Sequence, residues 1–174
     1  MTHSSAERTR WQFDLAWSLL DYHLQRLEPD DFLWRPGPRV WTMHPTGNGG
    51  WRPDWADVEP DPVPVPTVGW VSWHLGWWWS VACDHALGRT PREREEILWP
   101  GPGEPTVAWL RSLHATWRGI LLGADEDDLA APAAFPWPAD AGHTRAQLHA
   151  WATVELTKNA SEIGQLRLLR ATAG

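Results

Sequence analysis

From residue 67 to residue 83 this chain runs for 17 residues without an Asp, Glu, Lys or Arg, and five of those residues are Trp. A segment with no charged face has nothing to turn toward water, so it must be enclosed by other parts of the fold on most sides. The run is shorter than the roughly 20 residues that span a bilayer. Ser72, His74 and Gly76 interrupt its middle, and its tryptophans run through it instead of flanking it as an interfacial belt would. It reads as the central helix of a packed domain, with one imidazole, His74, set among Trp73, Trp77, Trp78 and Trp79.

The rest of the chain supplies what could enclose such a helix. Phe13, Trp17, Leu20, Leu24 and Leu27 recur at spacings of four, three, four and three, one apolar stripe of a helix over 6–27, opened by Ser4 and Glu7 as a capping box and closed by Pro29. A second helix is expected over 67–88, with Gly88 as its stop. A third spans 105–122, with Val107, Leu110, Leu113, Trp117 and Leu121 as its stripe and Gly123 after it. The fourth runs over 144–170, opened by a second capping box, Thr144 and Gln147, with Arg167 and Arg170 where the helix dipole favours cations. Residues 29–66 hold nine prolines together with Trp34, Trp41, Trp51 and Trp55. That composition excludes regular helix, yet four indoles do not hang in water, so the segment is expected to be an ordered crossover with room for short strands. The acidic run at 125–128 is a solvated turn or short helix start. These pieces make an all-α fold, a single-domain four-helix bundle over 1–174.

Charge and cysteine usage bound the function. A net charge of −7 without a basic stripe argues against a nucleic-acid partner. One cysteine, Cys83, cannot form an internal disulfide, and the first residues carry no apolar leader, which places the expected home in the cytoplasm. Sixteen Trp stand against three Phe and one Tyr, so the chain uses the aromatic that joins the largest apolar area to an N–H donor. Such a set suits a core, or a pocket that holds a small flat molecule.

The last helix places Leu148, Ala152, Glu155, Asn159, Glu162, Leu166 and Leu169 in a heptad-like line, apolar at its ends and polar in the middle. On the second helix Trp70, His74, Trp77 and Val81 form the comparable line. Facing each other, they would bring Trp70, His74, Trp77, Trp78, Glu155, Lys158, Asn159 and Glu162 around one ligand-binding pocket. Buried groups of this kind must pair with one another, a metal or a ligand. Lys158 is the only lysine beside 14 arginines. It has two readings: a helix ion pair with Glu155 and Glu162, or an acid, base or anion anchor. His74 likewise has two, a satisfied core histidine or a pocket residue. His85 lies three turns from His74, too far to share a metal, and His3, His23, His44, His114, His143 and His149 show no ligand spacing.

Trp73-His74-Leu75, followed some 85 residues later by Glu162-Ile163-Gly164-Gln165, resembles the DinB/YfiT-like superfamily across nearly the whole chain. The resemblance implies an up-down-down-up bundle that holds a divalent metal, zinc or nickel, on three histidines: one on the second helix and two, four residues apart, before a Gly-Gln on the last. It also implies a thiol-cofactor-dependent transferase or isomerase, of which mycothiol-dependent enzymes are one kind; the expected partners are a small-molecule ligand and a second copy of the chain. His74 matches the first metal position, whereas Lys158 and Glu162 stand where the other two histidines would be. A protonated amine does not donate to a metal. A metal site here would therefore rest on His74 and Glu162, with Glu155 beside them, and the alternative is a non-catalytic bundle whose polar patch is structural.

Overall fold

The structure, a computed structural model, describes residues 4–47 and 49–173; His3 and Asn48 of the glycine-rich turn lie outside them. Helix α1 (Ser5–Leu24) starts where the Ser4 hydroxyl accepts the Glu7 N–H and the Glu7 carboxylate accepts the Ser4 N–H, the expected capping box. It buries Phe13, Ala16, Leu20 and Leu24 and stops there, short of Leu27, because the chain turns into a 3-10 turn at Pro29–Asp31 whose entry Glu28 is capped by Asp31. Leu27 still packs on the core from the turn.

Helix α2 (Val68–Ala86) begins on the Thr67 hydroxyl and is buried on almost every side, as its uncharged run requires. Helix α3 (Glu104–Gly123) follows Gly103, whose φ of +78° makes the turn that places Pro105 in the first helical turn. The acidic run forms a short helix, α4 (Glu126–Ala130), capped by Asp125. Helix α5 (Arg145–Thr172) opens with the Thr144 and Gln147 capping box.

Four long helices close into a ring in which α1 packs on α5, α5 on α2, α2 on α3 and α3 on α1. Pairs between elements give their directions. Asp14 with Arg118 and Asp21 with Arg111 run α1 antiparallel to α3. Gly76 lies under the Trp109 ring, and Phe13 touches both Trp79 and His114, so α2 and α3 run parallel. His23 sits over Gly164, where a Cβ would come within 2.5 Å of its imidazole. The glycine before Gln165 thus lets the end of α1 close onto the end of α5. The order is up, down, down, up.

The crossover and the segment after α2 are held to the bundle in part by indole N–H groups. Two small pairings stiffen the crossover: β1 (Val40–Trp41) lies parallel to β4 (Val65–Pro66), and β2 (Met43–Pro45) antiparallel to β3 (Trp51–Pro53), with His44 opposite Arg52. The buried indole of Trp73 donates to the Ile97 carbonyl at 2.8 Å, and Trp70 donates to the Asp54 carbonyl at 2.8 Å. These N–H groups fasten α2 to irregular backbone whose carbonyls have no ladder partner. Beyond α2, Asp84 is buried under a two-pronged contact from Arg92, at 2.7 and 3.2 Å. Cys83 beside it is a small buried hydrophobe, and burial, then the Asp84 charge, pushes its thiol up to about 12. Among the described residues, no helix is long and apolar enough to cross a membrane.

Candidate functional site

Trp70, His74 and Trp77 fall at i, i+4 and i+7 on α2 and share one face. The His74 imidazole stacks flat on Trp70, with centroids 5.3 Å apart and planes 9° from parallel, and meets the edge of Trp77 at 5.7 Å. Trp41 also stacks on Trp70 at 4.9 Å, and Trp55 stands edge-on to Trp77 at 5.5 Å. The crossover therefore backs this wall with two further indoles. His74 is partly buried, and its surroundings hold it neutral. Its pKa is lowered to about 4, by burial first and by the Lys158 ammonium second, while a hydrogen bond with Asn159 works the other way.

Across from it, α5 contributes one fully buried amide. Asn159 is 1% exposed; its Oδ1 accepts the Trp78 indole N–H at 3.1 Å and its Nδ2 donates to Glu162 Oε2 at 2.9 Å. Lys158 Nζ lies 3.2 Å from Glu155 Oε2, with half of the lysine side chain exposed.

The facing of α5 departs from the expected line in a way that matters. Its buried residues are Leu148, Ala152, Leu156, Asn159, Ile163 and Leu166, with His149, Ala160 and Gly164 beside them. Glu155 and Glu162 lie half-buried at the edge of that stripe, and Leu169 is exposed. The buried face of α5 is centred on the side of Leu156, Ala160 and Ile163, a fraction of a turn from the heptad line, so the two carboxylates sit at its rim. Lys158 consequently pairs with Glu155 only, while Glu162 is taken by Asn159. Trp78 is a further correction: at 3% exposure it is core, and its N–H serves Asn159.

These residues do not fit a metal. His74 is the one imidazole of the set, both carboxylates already have partners, and an ammonium lies close enough to depress the imidazole. Among the described residues no three His, Cys, Asp or Glu side chains gather as a metal centre needs. His149 was not singled out by spacing, yet it is 3% exposed, stands edge-on to Trp117 and is held down to about 4 by burial, with Arg145 adding to the effect and Asp128 opposing it. Its helical position, one residue after Leu148 on the inward face, was the only signal.

A bundle of two parallel helix pairs with a histidine on α2 and a Gly-Gln on the last helix defines a class. The DinB superfamily matches residues 12–163, and the chain belongs to that family. Its fold is also that of a solved conserved protein from Enterococcus faecalis, with a TM-score of 0.65 at 12% identity, over 97% of this chain and 98% of that one. No curated protein matches the chain.

Proposed function

We propose that this DinB-superfamily protein binds a small molecule between α2 and α5, against the Trp70, His74 and Trp77 wall and beside Asn159, Lys158 and Glu162, with no resident metal. The observation that carries the reading is the His74 imidazole: only partly buried, stacked on Trp70 and held neutral next to an ammonium. A neutral imidazole can donate or accept a single hydrogen bond at no charging cost, and the flanking indoles suit a flat or apolar ligand.

The family's thiol chemistry enters this reading in a restricted form. A base with a pKa of about 4 facing a thiol of about 8.5 takes the proton uphill by roughly 6 kcal/mol, which disfavours His74 as the thiol's base. Lys158, with half of its side chain open to water, is the group suited to a thiolate or carboxylate by charge attraction. A low-molecular-weight thiol such as mycothiol, or an aromatic acid, is therefore the ligand class to test, with transferase or isomerase activity as the narrower proposal. Tryptophan fluorescence titrated with mycothiol, glutathione and aromatic carboxylates should respond to at least one, and His74→Ala and Lys158→Ala should each weaken that response. Flat titrations across the panel would sink the proposal. Protein purified without chelator should carry far less than one zinc or nickel per chain; a stoichiometric metal overturns the metal-free reading.

A second reading has its own observation. Asn159, Glu162, Lys158 and Glu155 satisfy one another and Trp78 without a ligand, as a purely structural patch would. It is favoured if Lys158→Ala changes stability and nothing else.

A further inference from the structure

Where α2 and α3 finish and α5 begins, Leu87, Gly119, Ile120, Asp128, Arg145 and His149, among others, enclose a second cleft of about 170 Å³. None of the candidate site residues lines it. Ala86, which does, lies more than three turns after His74 on α2, about 18 Å along the axis, so the two clefts are separate. His149 is the group in it that lacks a partner. It is 3% exposed, its imidazole meets Trp117 edge-on at 5.4 Å, and among the described residues neither ring nitrogen makes a hydrogen bond. A buried imidazole held neutral keeps one donor and one acceptor on offer, and leaving them unused is costly.

Charge and size select the occupant. Arg145 Nη1 and Asp128 Oδ1 stand 3.7 Å apart, an ion-pair distance without a hydrogen bond, whereas Arg92 closes on Asp84 at 2.7 Å. Both side chains are open to water over a third to a half of their surface. After burial, Arg145 is the next influence that lowers the His149 pKa, and Asp128 opposes it, so the two charges and the imidazole face one space. That space has no net charge. A lone anion would meet Asp128 and a lone cation Arg145, but a zwitterion satisfies both. Arg145 and His149 are also one turn apart on the same face of α5, where a single carboxylate can take the guanidinium fork and the imidazole N–H together. The helix poles agree: α5 begins at Arg145 with its positive end, and α3 ends at Gly123 with its negative end. A cavity of 170 Å³ is slightly larger than the roughly 150 Å³ that encloses benzene, which leaves space for about six to eight non-hydrogen atoms. Alanine, serine, threonine and valine are of that size, and the aromatic amino acids are not.

We infer that this cleft is a second binding site, for a small α-amino acid whose carboxylate is held by Arg145 and His149, whose ammonium pairs with Asp128, and whose short side chain lies on Leu87 and Ile120. The inference does not depend on the ligand proposed for the His74 cleft, since the two share no residue.

Isothermal titration calorimetry of the full chain with L-alanine, L-serine, L-threonine and L-valine should find at least one that binds with a Kd of about 1 mM or tighter. Propionate, which lacks the ammonium, and propylamine, which lacks the carboxylate, should each bind about 10-fold more weakly or worse. Arg145→Gln and Asp128→Asn alter a half-open ion pair, so the thermal midpoint of the free chain should stay within a few degrees while the affinity falls about 10-fold or more. His74→Ala should leave the affinity unchanged, which separates this cleft from the other. Four flat titrations at about 10 mM overturn the inference. So does propionate or propylamine binding as tightly as the amino acids, wild-type affinity in the folded Arg145 and Asp128 variants, or binding that is lost with His74.

Discussion

Acid should begin to destabilise this protein before its carboxylates titrate, because two of its histidines are held neutral inside the bundle. His74 and His149 each sit at about 4 in the folded chain against 6.5 when unfolded. The unfolded chain therefore binds more protons between these values, so stability is complete above about pH 6.5 and is lost as the pH falls toward 4. For one group with this shift, going from pH 7 to pH 5 costs about 2 kcal/mol by linkage. His149, almost fully buried, should give most of that figure, and the partly open His74 somewhat less, about 3 kcal/mol for the pair. His23, His85 and His114 are also lowered, chiefly by burial, and act in the same direction. Urea unfolding followed by tryptophan fluorescence measures this directly. With a slope of about 2 kcal/mol/M the midpoint should fall by about 1.5 M between pH 7 and pH 5. His149→Gln, which cannot titrate, should lose about 2 kcal/mol less over the same interval, whatever its stability at pH 7. Midpoints that agree within about 0.3 M at the two pH values would refute the reasoning, as would a His149→Gln protein whose pH dependence equals that of the wild type.

Other perturbations follow from single contacts. Gly76→Ala would drive a methyl group into the Trp109 ring and should destabilise by about 2 kcal/mol, read as a lower thermal midpoint. Arg92→Ala leaves the Asp84 carboxylate buried without its guanidinium and should cost about 3 kcal/mol in urea unfolding; Asp84→Ala, which leaves Arg92 free to reach water, should cost less. Asn159→Ala removes the acceptor of the buried Trp78 N–H and should cost about 2 kcal/mol, with a shift in tryptophan emission that Lys158→Ala does not reproduce.

The helices were legible because each carries its own local chemistry. Ser4 with Glu7 and Thr144 with Gln147 cap where the pattern places them, and the uncharged run at 67–83 could only be the enclosed helix. Membership of the DinB superfamily was legible too, from His74 and the Gly-Gln at 164–165, and the structure adds the reason that glycine is needed: His23 of α1 occupies the space of its side chain. The crossover was legible as ordered but not as pairings, because its hydrogen bonds join residues far apart, such as Val65 with Arg39 and Trp70 with Asp54.

The candidate site divides the two kinds of knowledge most clearly. By itself the sequence determined which residues are available: one imidazole among indoles on α2, and a lysine and a glutamate where two more imidazoles would have completed a metal set. Only the tertiary structure decided how they face. The buried face of α5 is centred toward Leu156, Ala160 and Ile163, a fraction of a turn from the heptad line, and that offset puts Glu155 and Glu162 on the rim while Asn159 stays inward and meets Trp78. Periodicity fixes angles only to within such an error, whereas a hydrogen bond needs them to a fraction of it, so which polar groups meet is settled by packing.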